Sequence, residues 1–507
     1  MSGGGEGSPR SLVLLATAQA LLLLGLLLLT PALPLQDGPG HVAVVDLLAR
    51  LERGEPAVAS ALERRPLAPI YAGFYGFAGR VAPLLGPEGA LRAFLALQLL
   101  AWSACLWAWL GRDPDPRRRW LVLLAAPAVL HGVFYFGFLN MLPCYALVAA
   151  GLRCVSPRRP MSARARALWL GGLALVACLL HPLGWAAWAL AVGVAVLVAP
   201  PGPGPRARWL LPLLAPLPPV LVWSWLATRE ARWSAYAGLP ALRWSDPASQ
   251  VAGAAHVLLP VAGPGLLLQA LGLALATALV ALDRRHDPAW AAEPERRACA
   301  WGAALAAVGG CLGPFWVGEV NFVGQRLLPL VPLLLLGALP PRLGASARGR
   351  AAIAASGLAL LGGHAWAFVD YAREVGPALR LGAGQPAGQR VLGVILTRHA
   401  RAAPALDQLL GVPLLLGARR GWVPLQLWAT AHLPLAWREH PELPQAVRPE
   451  DMPRATVLAA DLVLVYARAD DARARQALDS LRAPGGALEG VALLEQAGEW
   501  RLYRPPP

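Results

Sequence analysis

The chain has 507 residues, 56% hydrophobic and only 15% charged, with a formal net charge of +15. Soluble globular proteins carry nearer ~25% charged residues, so the composition excludes a water-soluble fold built on one dry core. All 45 basic residues are arginine, and they collect in short loops between apolar blocks. They do not line one basic stripe interleaved with aromatics, which argues against nucleic acid as a partner.

Residues 12–29 form the first apolar block. A cleaved signal peptide has an apolar region of ~7–15 residues before a small-residue cut site. This block is longer and runs into Thr30-Pro31-Ala32-Leu33-Pro34, so it reads as an uncleaved membrane helix. A long loop, 31–91, follows. Within it Pro39-Gly40 precedes a helical pattern at 41–53, where Val44, Val45, Leu48 and Leu51 form one apolar stripe and Asp46 and Arg50 pair at i, i+4. A second stretch, 70–85, suits a helix lying along a membrane surface.

Further apolar blocks centre near 93–110, 120–136, 138–152, 167–181, 184–199, 209–227, 256–282, 299–317, 322–340 and 351–369. Crossing ~30 Å of hydrocarbon takes ~20 residues at ~1.5 Å each, and a backbone in lipid must close its hydrogen bonds within helices. The chain is therefore expected to be a polytopic α-helical membrane protein with about eleven transmembrane helices in residues 1–370.

Alternate loops differ sharply in charge. Those at 111–119, 153–166, near 206, at 284–297 and at 342–350 hold eighteen arginines, whereas the others hold three: Arg229, Arg232 and Arg243. Arginine-rich short loops stay in the cytoplasm, which places the N-terminus inside and both the 31–91 loop and residues 371–507 outside. In that last region, strand-like runs at 391–396 and 462–467, a helical stretch near 471–481 and a hairpin-like VALLEQAGEWRLYR ending predict a small extracytoplasmic α/β domain. The six cysteines lie in or beside apolar blocks without a CxxC pair, the pattern of packing residues.

Ionisable groups near membrane depth are costly, which makes each a candidate for function. Asp37, in Gln36-Asp37-Gly38-Pro39-Gly40-His41, has two compatible readings: the N-cap of the helix opened by Gly38-Pro39, or a general base held on a rigid turn. Asn140 closes Phe134-Tyr135-Phe136-Gly137-Phe138-Leu139-Asn140 and suits either helix–helix bonding or substrate contact. His181, before Pro182-Leu183-Gly184, is a cap, a core residue or a site residue, and His131 looks like packing. Glu319 and Arg326, seven apart, share a face if their segment is helical. They read as a structural ion pair or, for Arg326, as planar donors facing a phosphate. Trp233, Tyr236 and Trp244 suit sugar stacking or an interfacial aromatic belt.

The layout of a first helix, an acidic residue in a long outside loop, many further spans and an outside α/β domain resembles the GT-C class of membrane glycosyltransferases. More narrowly, Gln36 to His41, Tyr135 to Asn140 and His181 to Gly184 resemble bacterial GT-C-like proteins carrying D-x-P-x-H, Y-x-G-F-L-N and H-x-x-G patterns. The resemblance implies an inverting transferase of the bacterial inner membrane, moving a sugar from a polyprenyl-phosphate carrier to a glycan, lipid or protein acceptor. Asp37 would be the base and Arg326 would hold the lipid phosphate, with His41, Asn140, His181 and Glu319 lining the substrate. No cofactor is certain, and a divalent metal is left open. Many GT-C enzymes carry two adjacent acids in this loop, whereas Asp37 stands between Gln36 and Gly38; either Asp46 or Glu52 supplies a second carboxylate, or the enzyme is metal-independent, or the catalytic role has been lost. The competing class is a non-catalytic protein: a flippase or transporter of lipid-linked substrates, or an envelope assembly factor. Against transport, the spans lack charged relays and paired broken helices.

Overall fold

The computed structural model describes residues 9–64, 72–202, 204–218, 222, 242–284, 293–317, 320–339, 344–404, 406–426, 435–438 and 452–506. The N-terminal three-quarters of the chain is almost entirely helical. Helix α1 (Pro9–Leu29) is followed by α2 (Gly38–Glu52) and by α3 (Ala72–Leu106), which kinks at Gly86 between Pro83 and Pro87. Next come α4 (Leu142–Val155), α5 (Ala163–Leu180), α6 (Pro182–Val198), α7 (Pro247–Leu258), α8 (Gly263–Arg284), α9 (Pro294–Leu312), α10 (Leu330–Ala338) and α11 (Ala347–Val375). Between α3 and α4 the chain alternates short α and 3-10 turns over 118–136.

Among the described residues, five helices are long and apolar enough to cross a membrane, or six if α7 and the start of α8, bent 82° apart, make one span. That is fewer than the eleven expected: the block at 209–227 lies partly outside the described residues, and other blocks fold as short helices. The apolar block at 138–152 folds as a helix of 14 residues, that at 184–199 as one of 17, and that at 322–340 is divided by a 3-10 turn. At ~1.5 Å per residue, these fall short of a full crossing. The stretch at 70–85 opens α3. Described from residue 72, it is a helical segment divided from the next apolar block by the non-helical Gly86 (φ +73°, ψ 168°).

Apolar side chains cover much of the outer surface of these helices. Leu14, Leu21 and Leu29 on α1, Leu168 and Trp169 on α5, Leu267 on α8 and Trp301 and Leu312 on α9 are all exposed. Isolated exposed leucines are ordinary, but this many on the long helices suit a lipid surround. Inside, small residues bring helices together. A Cβ on Gly265 would lie 2.9 Å from the Gly363 carbonyl, and one on Gly363 would lie 2.6 Å from the Gly265 carbonyl. Backbone contact of this kind is how helices associate when lipid removes the hydrophobic drive. Beside it, buried His364 hydrogen-bonds both Tyr135, at 2.9 Å, and Gln269, at 3.1 Å.

Short ribbons decorate the ends of the helices. Strand β1 (Leu62–Arg64) pairs with a strand far along the chain, while β2 (Leu242–Arg243), β3 (Trp316–Val317) and β4 (Val320–Asn321) form an antiparallel three-stranded ribbon. After α11 come β5 (Arg390–Ile395), α12 (Val412–Arg420), β6 (Val423–Pro424) and β7 (Leu435–Trp437), the partner of β1. Then follow β8 (Leu462–Tyr466), α13 (Ala472–Arg482), β9 (Ala492–Ala497) and β10 (Trp500–Arg504). A five-stranded sheet results, in the order β6-β5-β8-β10-β9. Strand β5 runs parallel to β6 and β8, and β10 is antiparallel to β8 and β9.

Strand periodicity explains how this sheet is used. Successive side chains face opposite sides, so Val391 and Ile395 join Leu462, Leu464 and Tyr466 in the core shared with the helices. Leu392, Val394, Val463 and Val465 form a second core with Ala474, Leu478 and Leu481 of α13. The sheet is thus docked on one face and roofed on the other. Glu374 in the last turn of α11 ties it down, its backbone carbonyl accepting from Trp500 Nε1 at 3.0 Å and its carboxylate accepting from the Tyr466 hydroxyl at 2.7 Å.

Candidate active site

Gly38-Pro39 begins α2 because proline presets the backbone angle of a first helical turn and needs no hydrogen-bond partner there. Asp37 occupies the N-cap position, but its backbone is helical (φ −90°, ψ −14°) and its side chain makes no cap hydrogen bond. The capping reading of Asp37 is corrected by this geometry: only its carbonyl serves the helix, accepting from His41 N at 3.1 Å. The carboxylate is left for other work.

The turn is gripped from two sides. On one, Gln36 N and Asp37 N donate to the carbonyls of Tyr135, at 2.8 Å, and Phe136, at 3.0 Å. Gly137 completes that grip, with φ +82°, and a Cβ there would stand 2.9 Å from Gly38 N and 3.2 Å from the Asp37 Cβ. Any larger residue would be strained and would push the turn away. On the other side the segment before α12 closes down. Gln408 Nε2 donates to the Pro34 carbonyl at 2.6 Å, and Asp407 N donates to Gln36 Oε1 at 3.1 Å.

Arg326 approaches from a third direction. It lies in the 3-10 turn Gln325–Leu327, after strand β4 and Phe322, whose φ of +54° is the only left-handed value outside glycine among the described residues. The seven-residue helical spacing expected between positions 319 and 326 therefore does not apply, and Glu319 itself lies outside the described residues, as do Trp233 and Tyr236. Trp244 is exposed and donates to the Leu312 carbonyl.

The buried Arg326 guanidinium sits 3.8 Å from the Phe138 ring centre, a cation–π arrangement, and 3.3 Å from His181 Nε2. Tyr145 fixes its backbone by donating to the Arg326 carbonyl at 2.6 Å. His181 acts at once as an N-cap, its Nδ1 accepting from Leu183 N at 3.1 Å, and as a neighbour of the arginine. Asn140 Oδ1 accepts from Phe74 N at 2.7 Å in the first turn of α3. His41 packs edge-on against that same Phe74, bonds Tyr75 through Nδ1 at 2.8 Å and hydrogen-bonds the Gly137 backbone. Asp37, His41, Asn140, His181 and Arg326 thus share one neighbourhood. His131 packs edge-on against Tyr145.

Electrostatics sets these groups apart. Burial lifts the Asp37 carboxyl to about 7, against the opposing pull of the Arg326 charge and a hydrogen bond with the Gln36 side chain. Burial depresses His41 to about 4, so it is neutral at physiological pH. Neither proposed second acid reaches the turn as a free carboxylate: Asp46 binds Arg50 at 3.3 Å and Glu52 binds Arg64 at 2.9 Å. No group of three or more His, Cys, Asp or Glu among the described residues could hold a metal ion. Among the described residues, the donor set around Asp37 does not fit a divalent metal.

Reasoning from sequence passed over Gln36, Tyr75, Phe138 and Phe322. Phe138 had a signal, since it follows Gly137 in the same short motif, and Gln36 adjoins the acid. The left-handed Phe322, packed against Phe136 at 4.4 Å and Phe315 at 4.5 Å, had none.

Neither a protein-family model nor a curated protein matches this chain by sequence. Solved structures do match. The crystal structure of ArnT from Cupriavidus metallidurans in the apo state superposes with a TM-score of 0.54 at 13% identity, covering 98% of this chain and 99% of that one. The structure of the same protein bound to undecaprenyl phosphate gives a TM-score of 0.53 at the same identity and coverage. The chain shares that overall fold.

Proposed function

We propose that this protein is a GT-C-like membrane glycosyltransferase that moves a sugar from a polyprenyl-phosphate carrier to an acceptor hydroxyl, with inversion. Asp37 is the general base and Arg326 faces the carrier phosphate. The observation carrying this reading is the pairing of a desolvated carboxyl near neutrality with a buried arginine across one rigid turn. The fold shared with ArnT, one of whose structures holds undecaprenyl phosphate, supports the lipid-carrier part.

In the reaction the acceptor oxygen attacks the anomeric carbon as the bond from that carbon to the phosphate oxygen breaks. The bonding pair leaves with the polyprenyl phosphate, and the acceptor proton passes to Asp37. A base performs best when its pKa lies near the working pH, and the burial of Asp37 supplies that. The fork of Arg326 suits the charge growing on the departing phosphate. The face of Phe138 keeps that fork in place, and neutral His41 holds Gly137 against the turn. No step runs through a metal.

The same reading puts the chain in a bacterial inner membrane with the N-terminus cytoplasmic and the Asp37 turn outside. Residues 371–507 form the extracytoplasmic domain, and the shorter helices join the long ones toward about eleven membrane segments. Transfer of labelled sugar from polyprenyl phosphate in reconstituted membranes tests the chemistry. Asp37→Asn keeps shape but cannot accept the proton at neutral pH, so transfer should fall ~10²–10⁴-fold in a protein that still folds. Full activity in that variant would remove Asp37 from the chemistry.

A further inference from the structure

The end of the molecule remote from Asp37 carries a second constellation, which the transfer reaction does not use. Gln98 of α3 donates to the Leu139 carbonyl at 2.8 Å and α4 begins at Leu142, so from there both helices lead away from the site, and the loops after them, 112–119 and 156–162, meet where Arg159 donates to the Arg112 carbonyl. There a cavity of about 40 Å³ is lined by Arg118, Arg153, Arg158 and Arg159 and by two carboxylates, Asp113 and Glu295. One water occupies ~10–15 Å³ on such a measure, so there is room for a few waters or one phosphate group.

The arginines around it divide into two sets. Arg118 is matched by Asp113 at 3.0 Å, and Arg158 by Glu293 and Glu295. Arg112, Arg153 and Arg159 have no carboxylate partner among the described residues. Arg153 donates to the Ala108 carbonyl and Arg159 to the Arg112 carbonyl, while Arg112 and Arg159 lie close enough to repel the Arg153 charge. Carbonyls satisfy some of the donors but leave the charges uncompensated. Mutual repulsion of partly buried cations is retained where an anion relieves it, and the planar fork of arginine fits phosphate oxygens.

We infer that Arg112, Arg153 and Arg159, with the adjoining cavity, bind the phosphate of an anionic phospholipid headgroup at the face opposite Asp37. Its place at the ends of apolar helices favours a lipid over a dissolved ion, since basic pockets between membrane helices there meet headgroups. Loop arginines that only set topology need no such convergence on one cavity.

The test uses the full-length protein in detergent. Native mass spectrometry counts bound dioleoylphosphatidylglycerol against dioleoylphosphatidylcholine, and thermal melting is followed with each lipid and with inorganic phosphate. The wild type should bind the anionic lipid preferentially and melt higher with it. R153Q/R159Q should weaken that binding by roughly fivefold per arginine removed, while Arg206→Gln, at an exposed arginine elsewhere, should leave it unchanged. Equal binding of the two lipids by the wild type overturns the proposal without any variant. An R153Q/R159Q protein with undiminished preference also overturns it. Stabilisation by inorganic phosphate equal to that by the anionic lipid would overturn the lipid assignment. If the double variant fails to fold, R153K/R159K keeps the charge but loses the fork, and its undiminished preference would count against the site.

Discussion

Burial governs how Asp37 behaves in folding as well as in chemistry. Its carboxyl is lifted from an ordinary 3.8 to about 7, so the folded protein holds this proton more tightly than the unfolded chain does. The stability this contributes is complete below about 3.8, and it is lost as pH rises through about 7. Asp37→Asn removes the titration. The melting temperature of the wild type should therefore fall relative to the variant across that window, and near pH 8 the variant should melt higher. A wild type that gained stability on the variant over the same window would reverse the sign and place Asp37 in a stabilising ion pair. Gly137 makes a second residue-scale test. Gly137→Ala forces a Cβ against Gly38 N in a left-handed backbone, a strain of ~1–3 kcal/mol, and should lower both stability and transfer. An alanine variant melting and transferring like wild type would mean that the turn is not held there. At this scale the sequence was informative about which residue types gather and poor about their roles. Asp37, His181 and Arg326 stood out because charge beside apolar runs is costly, whereas Phe322 owes its left-handed backbone to packing that only tertiary structure supplies.

At the scale of elements, the docked sheet decides how the outer part of the site is held. One side of β5 and β8 packs into the helical core, and Gln408 reaches the Pro34 carbonyl just ahead of Asp37. Gln408→Ala removes a hydrogen bond worth ~0.5–1.5 kcal/mol and should loosen the Asp37 turn, lowering transfer more than stability. A variant with wild-type transfer would leave the contact without a role in the site. Cut free at residue 371, the segment would expose Val391, Ile395, Leu462 and Leu464, all now buried. The isolated fragment should be marginally stable, without a sharp cooperative melt, and a soluble fragment with such a melt would contradict the docking. The strands here were legible from alternating apolar residues, and the helices from continuous apolar blocks. Helix lengths were not. The blocks at 138–152 and 184–199 fold as helices of 14 and 17 residues, because Pro143 and Pro182 near their first turns fix where each can begin.

For the whole molecule, the proposed orientation rests on the arginine asymmetry between alternate loops. A reporter active only in the cytoplasm should be silent when fused after Pro507, and strong activity there would put Asp37 on the wrong side of the membrane. Fold and chemistry meet in the coupling of Asp37 to Arg326, which come from opposite ends of the helical region and were never adjacent in sequence. The most direct measurement is the pH dependence of kcat/KM for sugar transfer in the wild type and in Arg326→Gln, because that quantity reports the free enzyme's essential base. Activity of the wild type should rise with pH to a plateau with a midpoint near 7, the value to which burial lifts Asp37. Without the arginine charge that holds this carboxyl down, the residual activity of Arg326→Gln should rise at distinctly higher pH. A flat profile in the wild type, or an identical midpoint in the two proteins, would contradict Asp37 as a base tuned by Arg326.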